Sequence, residues 1–197
     1  MKPEHLKVVC NSCSNSMVAW DLGANNGSET HLLREIFKIV VSVEADPDLC
    51  KKFEYLLHMA IADHDGETDW YASYKEDGVW DASGSVLLPT TEKNYPWLKF
   101  RKSVSIPCCT LDTLAETLGH FPNFIHGDLQ GAERFLFEYG KVTLANTEVI
   151  SLELSEGGNY KGAWSYTALI AALKENKYEH VATFGPDQVW RNTCVQN

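Results

Sequence analysis

Residues 17–28 read Met-Val-Ala-Trp-Asp-Leu-Gly-Ala-Asn-Asn-Gly-Ser. A short apolar run meets an acid, Asp21, and then a turn holding Gly23 and Gly27. Gly23 permits a tight turn, and Gly27 lets a following helix start close to the sheet and a ligand. From Ser28, a polar cap residue, the spacing of Leu32, Leu33, Ile36 and Phe37 predicts a helix over 28–37. The apolar run over 39–43 then predicts a strand buried on both faces and closed by Glu44. Strand, glycine turn, helix and strand in this order make the first unit of a parallel sheet.

The alternation continues outward. Asp46-Pro47 starts a helix, 58–62 predicts the third strand, and 63–66 a turn. A helix starting at Thr110 or Asp112 ends at Gly119. Strands are predicted over 124–128 and 148–154, helices over 131–139 and 166–175, and final strands over 179–184 and 188–191. The pattern argues for an α/β fold, a doubly wound and mostly parallel sheet. Gly185-Pro186-Asp187 is too short for a parallel crossover, so the last strand is expected antiparallel. Residues 66–107 break the rhythm with many aromatics among glycines and prolines. One or two short strands and a long loop are expected there, a candidate lid over an acceptor site. No linker composition divides residues 1–197, so a single domain is expected.

Composition narrows the function classes. The net charge is −10, from Lys+Arg 17 against Asp+Glu 27, which disfavours generic nucleic-acid binding. Apolar runs fall far short of the roughly 20 residues of a membrane span. The first residues lack the apolar core of a signal peptide, so a cytoplasmic protein with reduced cysteines is expected. Cys10 and Cys13 form one C-x-x-C, but no second pair or nearby histidine completes a zinc set, so no metal site is expected.

In an open α/β sheet, ligands sit outside the carboxyl ends of the strands. Here those ends are acidic: Asp21, Glu44, Asp63, Asp128 and Glu153. Glu44 stands where a carboxylate accepts both hydroxyls of an adenosine ribose. The loop lacks the G-x-G-x-x-G spacing that cradles a pyrophosphate, and Asp21 would repel one. A phosphate-free, cationic adenosyl ligand suits it better: S-adenosylmethionine. An NAD(P)-dependent oxidoreductase and a catalytically silent adenosyl-binding module are the alternatives.

The segments at 21–27, Val43-Glu44-Ala45-Asp46-Pro47, 60–66, Thr110-Leu111-Asp112-Thr113-Leu114, Gly127-Asp128-Leu129-Gln130-Gly131-Ala132-Glu133 and Leu152-Glu153-Leu154 resemble, in order and spacing, FkbM-type methyltransferases. The likeness runs from about residue 17 to about residue 184, and the segment from Asp128 to Glu133 is its most specific part. The resemblance implies a class I Rossmann-like fold and S-adenosylmethionine-dependent methyl transfer, typically to a hydroxyl of a sugar or polyketide. It implies Asp21, Gly23, Ala24, Asn25 and Gly27 around the methionine portion, Glu44 on the ribose, and Ala62 and Asp63 near the adenine. It also brings a small-residue segment, Ser83-Gly84-Ser85, near the site. A lysine usually stands two residues before the motif's aspartate; here it is His126.

Transfer from a sulfonium needs alignment first and a base second. Asp128, His126, Glu153 and Glu133 are the candidates. Asp128 is expected to orient the acceptor or His126, with His126 or Glu153 taking the proton. A core role for His126, a helix-dipole role for Glu133, and a divalent metal on Asp128, Glu133 or Glu153 are the rival readings. Trp80, Ser83 and Ser85 are the candidate acceptor contacts, within an insertion expected to set acceptor specificity.

Overall fold

β1 (Val18–Leu22) is buried along its whole length, and the sheet is laid out around it. The computed structural model describes residues 1, 3–14, 16–75, 77–79, 81–90, 96–154 and 158–195. β1 pairs in parallel with β2 (Ile39–Glu44) and with β9 (Phe124–Gly127). β3 (Leu56–His58) extends the β2 side. β10 (Val149–Glu153), β12 (Asp187–Asn192) and β11 (Tyr178–Phe184) extend the β9 side. Among the described residues this sheet has seven strands, in the order β11-β12-β10-β9-β1-β2-β3. Strand order reverses between β1 and β9, so a crevice opens there at the carboxyl ends. β12 runs antiparallel to both neighbours, as the short turn before it demands.

Side chains alternate across the strands and define two cores. Trp20, Leu22, Ile125, Ile150 and Leu152 face α4 (Leu111–Leu118), α5 (Arg134–Tyr139), α6 (Lys141–Ala145) and α7 (Tyr166–Glu175). Ala19, Phe124, Val149 and Val189 face α1 (Pro3–Ser12), α2 (Ser28–Leu33) and Phe37. Each fully buried aliphatic or aromatic side chain contributes about 1.5–3 kcal/mol.

Several local expectations need correction. α2 stops at Leu33, four residues short of Phe37, and its cap is Gly27 rather than Ser28. The Asn26 side chain instead accepts from the Ser28 N–H at 3.1 Å. β2 is buried only in its last half; Ile39 is 45% exposed. The third strand starts earlier and breaks at Met59, whose N–H donates to Glu44 O at 3.0 Å. Beyond the break, β4 (Ala60–Ile61) leaves the main sheet and pairs with β8 (Val104–Cys109), which also holds β5 (Gly66–Trp70). With β6 (Ser73–Lys75) and β7 (Leu98–Phe100), the insertion carries more strand than the one or two short pieces expected. Asp46, by contrast, caps α3 (Pro47–Lys52) and Thr110 caps α4 as the sequence predicts.

Candidate active site

The turn after β1 is tied on both sides. Gly23 and Ala24 N–H groups donate to Val43 O at 2.9 and 3.0 Å, and the Asp128 N–H donates to Leu22 O at 3.0 Å. Gly23 has φ +81°, and a Cβ built on it would lie 2.0 Å from Asp128 O. Only glycine lets the two loops touch there. Gly27 serves packing of another kind: its missing Cβ makes room for the Tyr55 hydroxyl, not for a ligand.

The crevice formed at these strand ends encloses about 640 Å³, counting its open mouth. Gly23, Asn25 and Glu44 line one end, and Asp128, Leu129 and Gln130 the other. Glu44 is 6% exposed. Its Oε2 accepts from the Asn25 N–H at 2.6 Å and its Oε1 from the Asp46 N–H at 2.7 Å. Burial pushes its pKa up, and these two N–H groups oppose that by stabilising the carboxylate. A carboxylate offers about four lone pairs, so each oxygen keeps room for one hydroxyl of a ribose. Asn25 Oδ1 is buried without a protein partner, an acceptor set for a donor in the cleft. Val43, Leu49 and Ile61 supply apolar wall for a flat base, while Glu44, Asp46, Asp81 and Asp128 make the lining acidic. These features fit a cationic adenosyl ligand.

At the far end, Asp128 Oδ1 accepts from Gln130 Nε2 at 2.6 Å, and burial raises the Asp128 pKa. The insertion docks on this turn. Ser85, fully buried, donates its hydroxyl to Gln130 O at 2.9 Å and accepts from the Leu87 N–H at 3.1 Å. The Tyr160 hydroxyl donates to Ser83 O at 2.7 Å. Trp70, Asp81, Gly84 and Val86 thereby become cleft wall.

The expected site residues therefore separate. Gly23, Asn25, Glu44 and Asp128 lie together on the cleft. Ala24, Gly27, Ala62 and Asp63 are not on its wall; Asp63 pairs instead with His64 Nδ1 at 2.6 Å on the surface. Ser85 is consumed in holding the insertion, and Ser83 meets Tyr160 through its carbonyl. Trp80 lies outside the described residues. Glu133 is 5% exposed, precedes α5 rather than lying within its first turn, and accepts from the Leu129 N–H at 3.0 Å. Its burial pushes its pKa to about 7. Glu153 is half-buried at the end of β10; burial, then Asp128 and Asp187, raise its pKa to about 7.

Asp21 is not on the cleft wall. It is fully buried, with Oδ1 2.8 Å from His126 Nδ1 and Oδ2 accepting from the Thr30 hydroxyl. His126 is thus oriented by Asp21, not by Asp128. Burial alone would lower its pKa, but the carboxylates around it, Asp21 with Asp128 and Glu29, make the net shift upward. Sequence reasoning missed Trp70, Asp81, Gln130 and Met59 as cleft residues. The signal for Gln130 lay inside the Asp128 to Glu133 segment; the others depend on how the insertion folds back.

Two pieces of unrelated chemistry are also settled by packing. The six cysteines carry no disulfide, and burial pushes the Cys13 thiol up to about 12. Among the described residues no helix is long and apolar enough to cross a membrane.

The sheet order and the glycine turn at the strand ends are those of a class I Rossmann-like methyltransferase, with S-adenosylmethionine as methyl donor. The chain belongs to the family described as the methyltransferase FkbM domain, which it matches over residues 21–180. It is 28% identical over 182 residues to 2-O-methyltransferase NoeI of Sinorhizobium fredii, covering 85% of this chain and 74% of that protein. The crystal structure of methyltransferase FkbM from Methylobacillus flagellatus KT superposes with a TM-score of 0.55 at 10% identity, a likeness of fold. That match covers 89% of this chain, which spans 43% of the length of the crystallised protein.

Proposed function

We propose that this methyltransferase methylates a hydroxyl oxygen of a sugar or similar small acceptor, with Asp128 as the carboxylate at that hydroxyl. One observation carries the reading: of Asp128, His126, Glu133 and Glu153, Asp128 is the group that shares the cleft with Asn25 and Glu44. When bound, S-adenosylmethionine supplies a methyl on a cationic sulfur, already activated for displacement. Glu44 holds the ribose hydroxyls and Asn25 Oδ1 takes a donor of the ligand. The acidic lining favours the cation over its neutral product. Asp128, steadied by Gln130, accepts the acceptor's hydroxyl proton as the new carbon–oxygen bond forms and the carbon–sulfur bond breaks. Burial keeps the Asp128 pKa above the ordinary carboxylate range, which strengthens it as a base once ionised.

Oxygen as the accepting atom is supported by the relative named a 2-O-methyltransferase. A hydroxyl-rich acceptor is supported by the acceptor groups grouped at that end, Asp81, Asp128 and the Gln130 side chain. Because Trp70, Asp81 and Val86 come from the 66–107 insertion, that segment sets acceptor choice in this reading.

The test is transfer of a labelled methyl group to a panel of methyl glycosides with free 2-hydroxyls. Turnover on at least one is expected, and Asp128→Asn is expected to lower kcat by about 10²–10⁴ while S-adenosylhomocysteine still binds. Silence on the whole panel, or full turnover by Asp128→Asn, would contradict the proposal.

A further inference from the structure

Asp21, His126 and Asp128 form a row on the α1 and α2 side of the sheet. Asp21 and His126 are direct partners across β1 and β9. Asp128 follows two residues on, which returns it to the same face. Behind Asp21 the row is closed. Thr30 donates to Asp21 Oδ2, and the Ser42 hydroxyl lies 2.8 Å from Thr30 Oγ1. Each Asp21 oxygen already has a protein partner, the side chain is fully buried, and it is absent from the cleft wall.

The groups facing His126 come from every element around it: Asp21 on β1, Asp128 beyond the end of β9, Glu153 on β10, Glu29 on α2 and His5 on α1. His5 sits 2.9 Å from the hydroxyl of Ser151, the residue paired with His126 on β10. Burial drives the His5 pKa to about 4, so it is neutral near pH 7. His126 thus stands hydrogen-bonded to Asp21 with the carboxylates of Asp128, Glu29 and Glu153 around it, and the net shift of its pKa is upward.

We infer that Asp21 is a positioning residue rather than a contact of the methyl donor: it holds His126 as an imidazolium, and that buried cation keeps the Asp128 carboxylate ionised at the cleft. The inference rests on reading Asp128 as the acceptor carboxylate. It reassigns the leading acid of the glycine turn from ligand binding to charge control. It also removes His126 from proton abstraction, since an imidazolium has no free nitrogen lone pair to take a proton. An uncompensated buried carboxylate beside the cleft would hold its own proton and lose its use as a base.

The test combines nuclear magnetic resonance titration of the His126 ring and Asp128 carboxyl carbon with calorimetric titration by S-adenosylhomocysteine. It uses the wild type, Asp21→Asn, His126→Lys and His126→Gln, with melting curves to check folding. In Asp21→Asn the His126 midpoint should fall by about one unit or more, while S-adenosylhomocysteine affinity stays within about threefold. His126→Gln should raise the Asp128 midpoint by about one unit or more, and His126→Lys, which keeps the positive charge, should not. This second pair decides the matter if Asp21→Asn does not fold. Two results would overturn the inference: loss of about tenfold or more in affinity with the His126 midpoint unmoved, or equal Asp128 midpoints in His126→Gln and His126→Lys. Failure of the Asp128 reading shows elsewhere, as full turnover by Asp128→Asn, and leaves these titrations intact.

Discussion

Replacing Gly23 with alanine should separate the two halves of the cleft. The new Cβ would stand 2.0 Å from Asp128 O, where ordinary contact begins at 3.4 Å. The touching backbones must therefore part by about 1.4 Å, and neither is a flexible side-chain end. Gly23 also has φ +81°, which costs an alanine about 1–2 kcal/mol. Adding about 1–3 kcal/mol for the forced shift gives a loss of roughly 2–5 kcal/mol. At this chain length that lowers the melting temperature by roughly 5–15 °C. Affinity for S-adenosylhomocysteine should fall about tenfold or more, because the turn carrying Asn25 shifts against Val43 and Glu44. Gly78→Ala is the matched control: its φ is +80°, but nothing lies within 4 Å of the added Cβ. It should show the backbone cost alone, with binding unchanged. Scanning calorimetry and isothermal titration on the two variants provide the assay. If Gly23→Ala melts and binds like Gly78→Ala, the close approach of the two loops has no energetic role and the reasoning fails.

Glu133 links stability to pH. Its folded pKa of about 7 lies above the ordinary 4.5, so folding favours the protonated form. Its contribution is full below about pH 4.5 and is lost as pH rises through 7, by roughly 3 kcal/mol for this buried group. Glu133→Gln keeps an acceptor for the Leu129 N–H, so melting curves from pH 4.5 to 7.5 should show a smaller loss than in the wild type. An identical pH slope in both would contradict this. Ser85→Ala removes the hydroxyl that ties the insertion to Gln130 and should cost about 1–3 kcal/mol. Hydrogen exchange at 81–87 should quicken, and unchanged exchange would show the insertion is held by other contacts.

Most of the sheet was legible because β1, β2, β9 and β10 each end in an acid or a glycine turn and the longer helices have an apolar stripe. Where that signal thins, reading failed. α1 was missed because its buried face includes His5 and Ser12 beside Val9, so no long apolar period marks it. α6 has five residues, too few for a period. The break at Met59 is a choice between two sheets, decided by whether Cys108 and Cys109 or the main sheet supplies the partner. The place of Glu44 on the cleft was legible because loop and acid sit in one strand-helix-strand unit. The Asp21–His126 contact was not, because it joins residues 105 positions apart through strand register. Nor was the far wall of the cleft, which is built by an insertion whose fold no local pattern dictates.

The most direct measurement of the central claim is calorimetric titration of S-adenosylhomocysteine into the wild type and into Glu44→Ala. The wild type should bind with a dissociation constant on the order of micromolar. Glu44→Ala loses two charge-assisted ribose bonds of about 1.5–3 kcal/mol each, so affinity should fall about 10²-fold or more. A folded wild type that takes up no S-adenosylhomocysteine, or a Glu44→Ala variant that binds it equally well, would contradict the account.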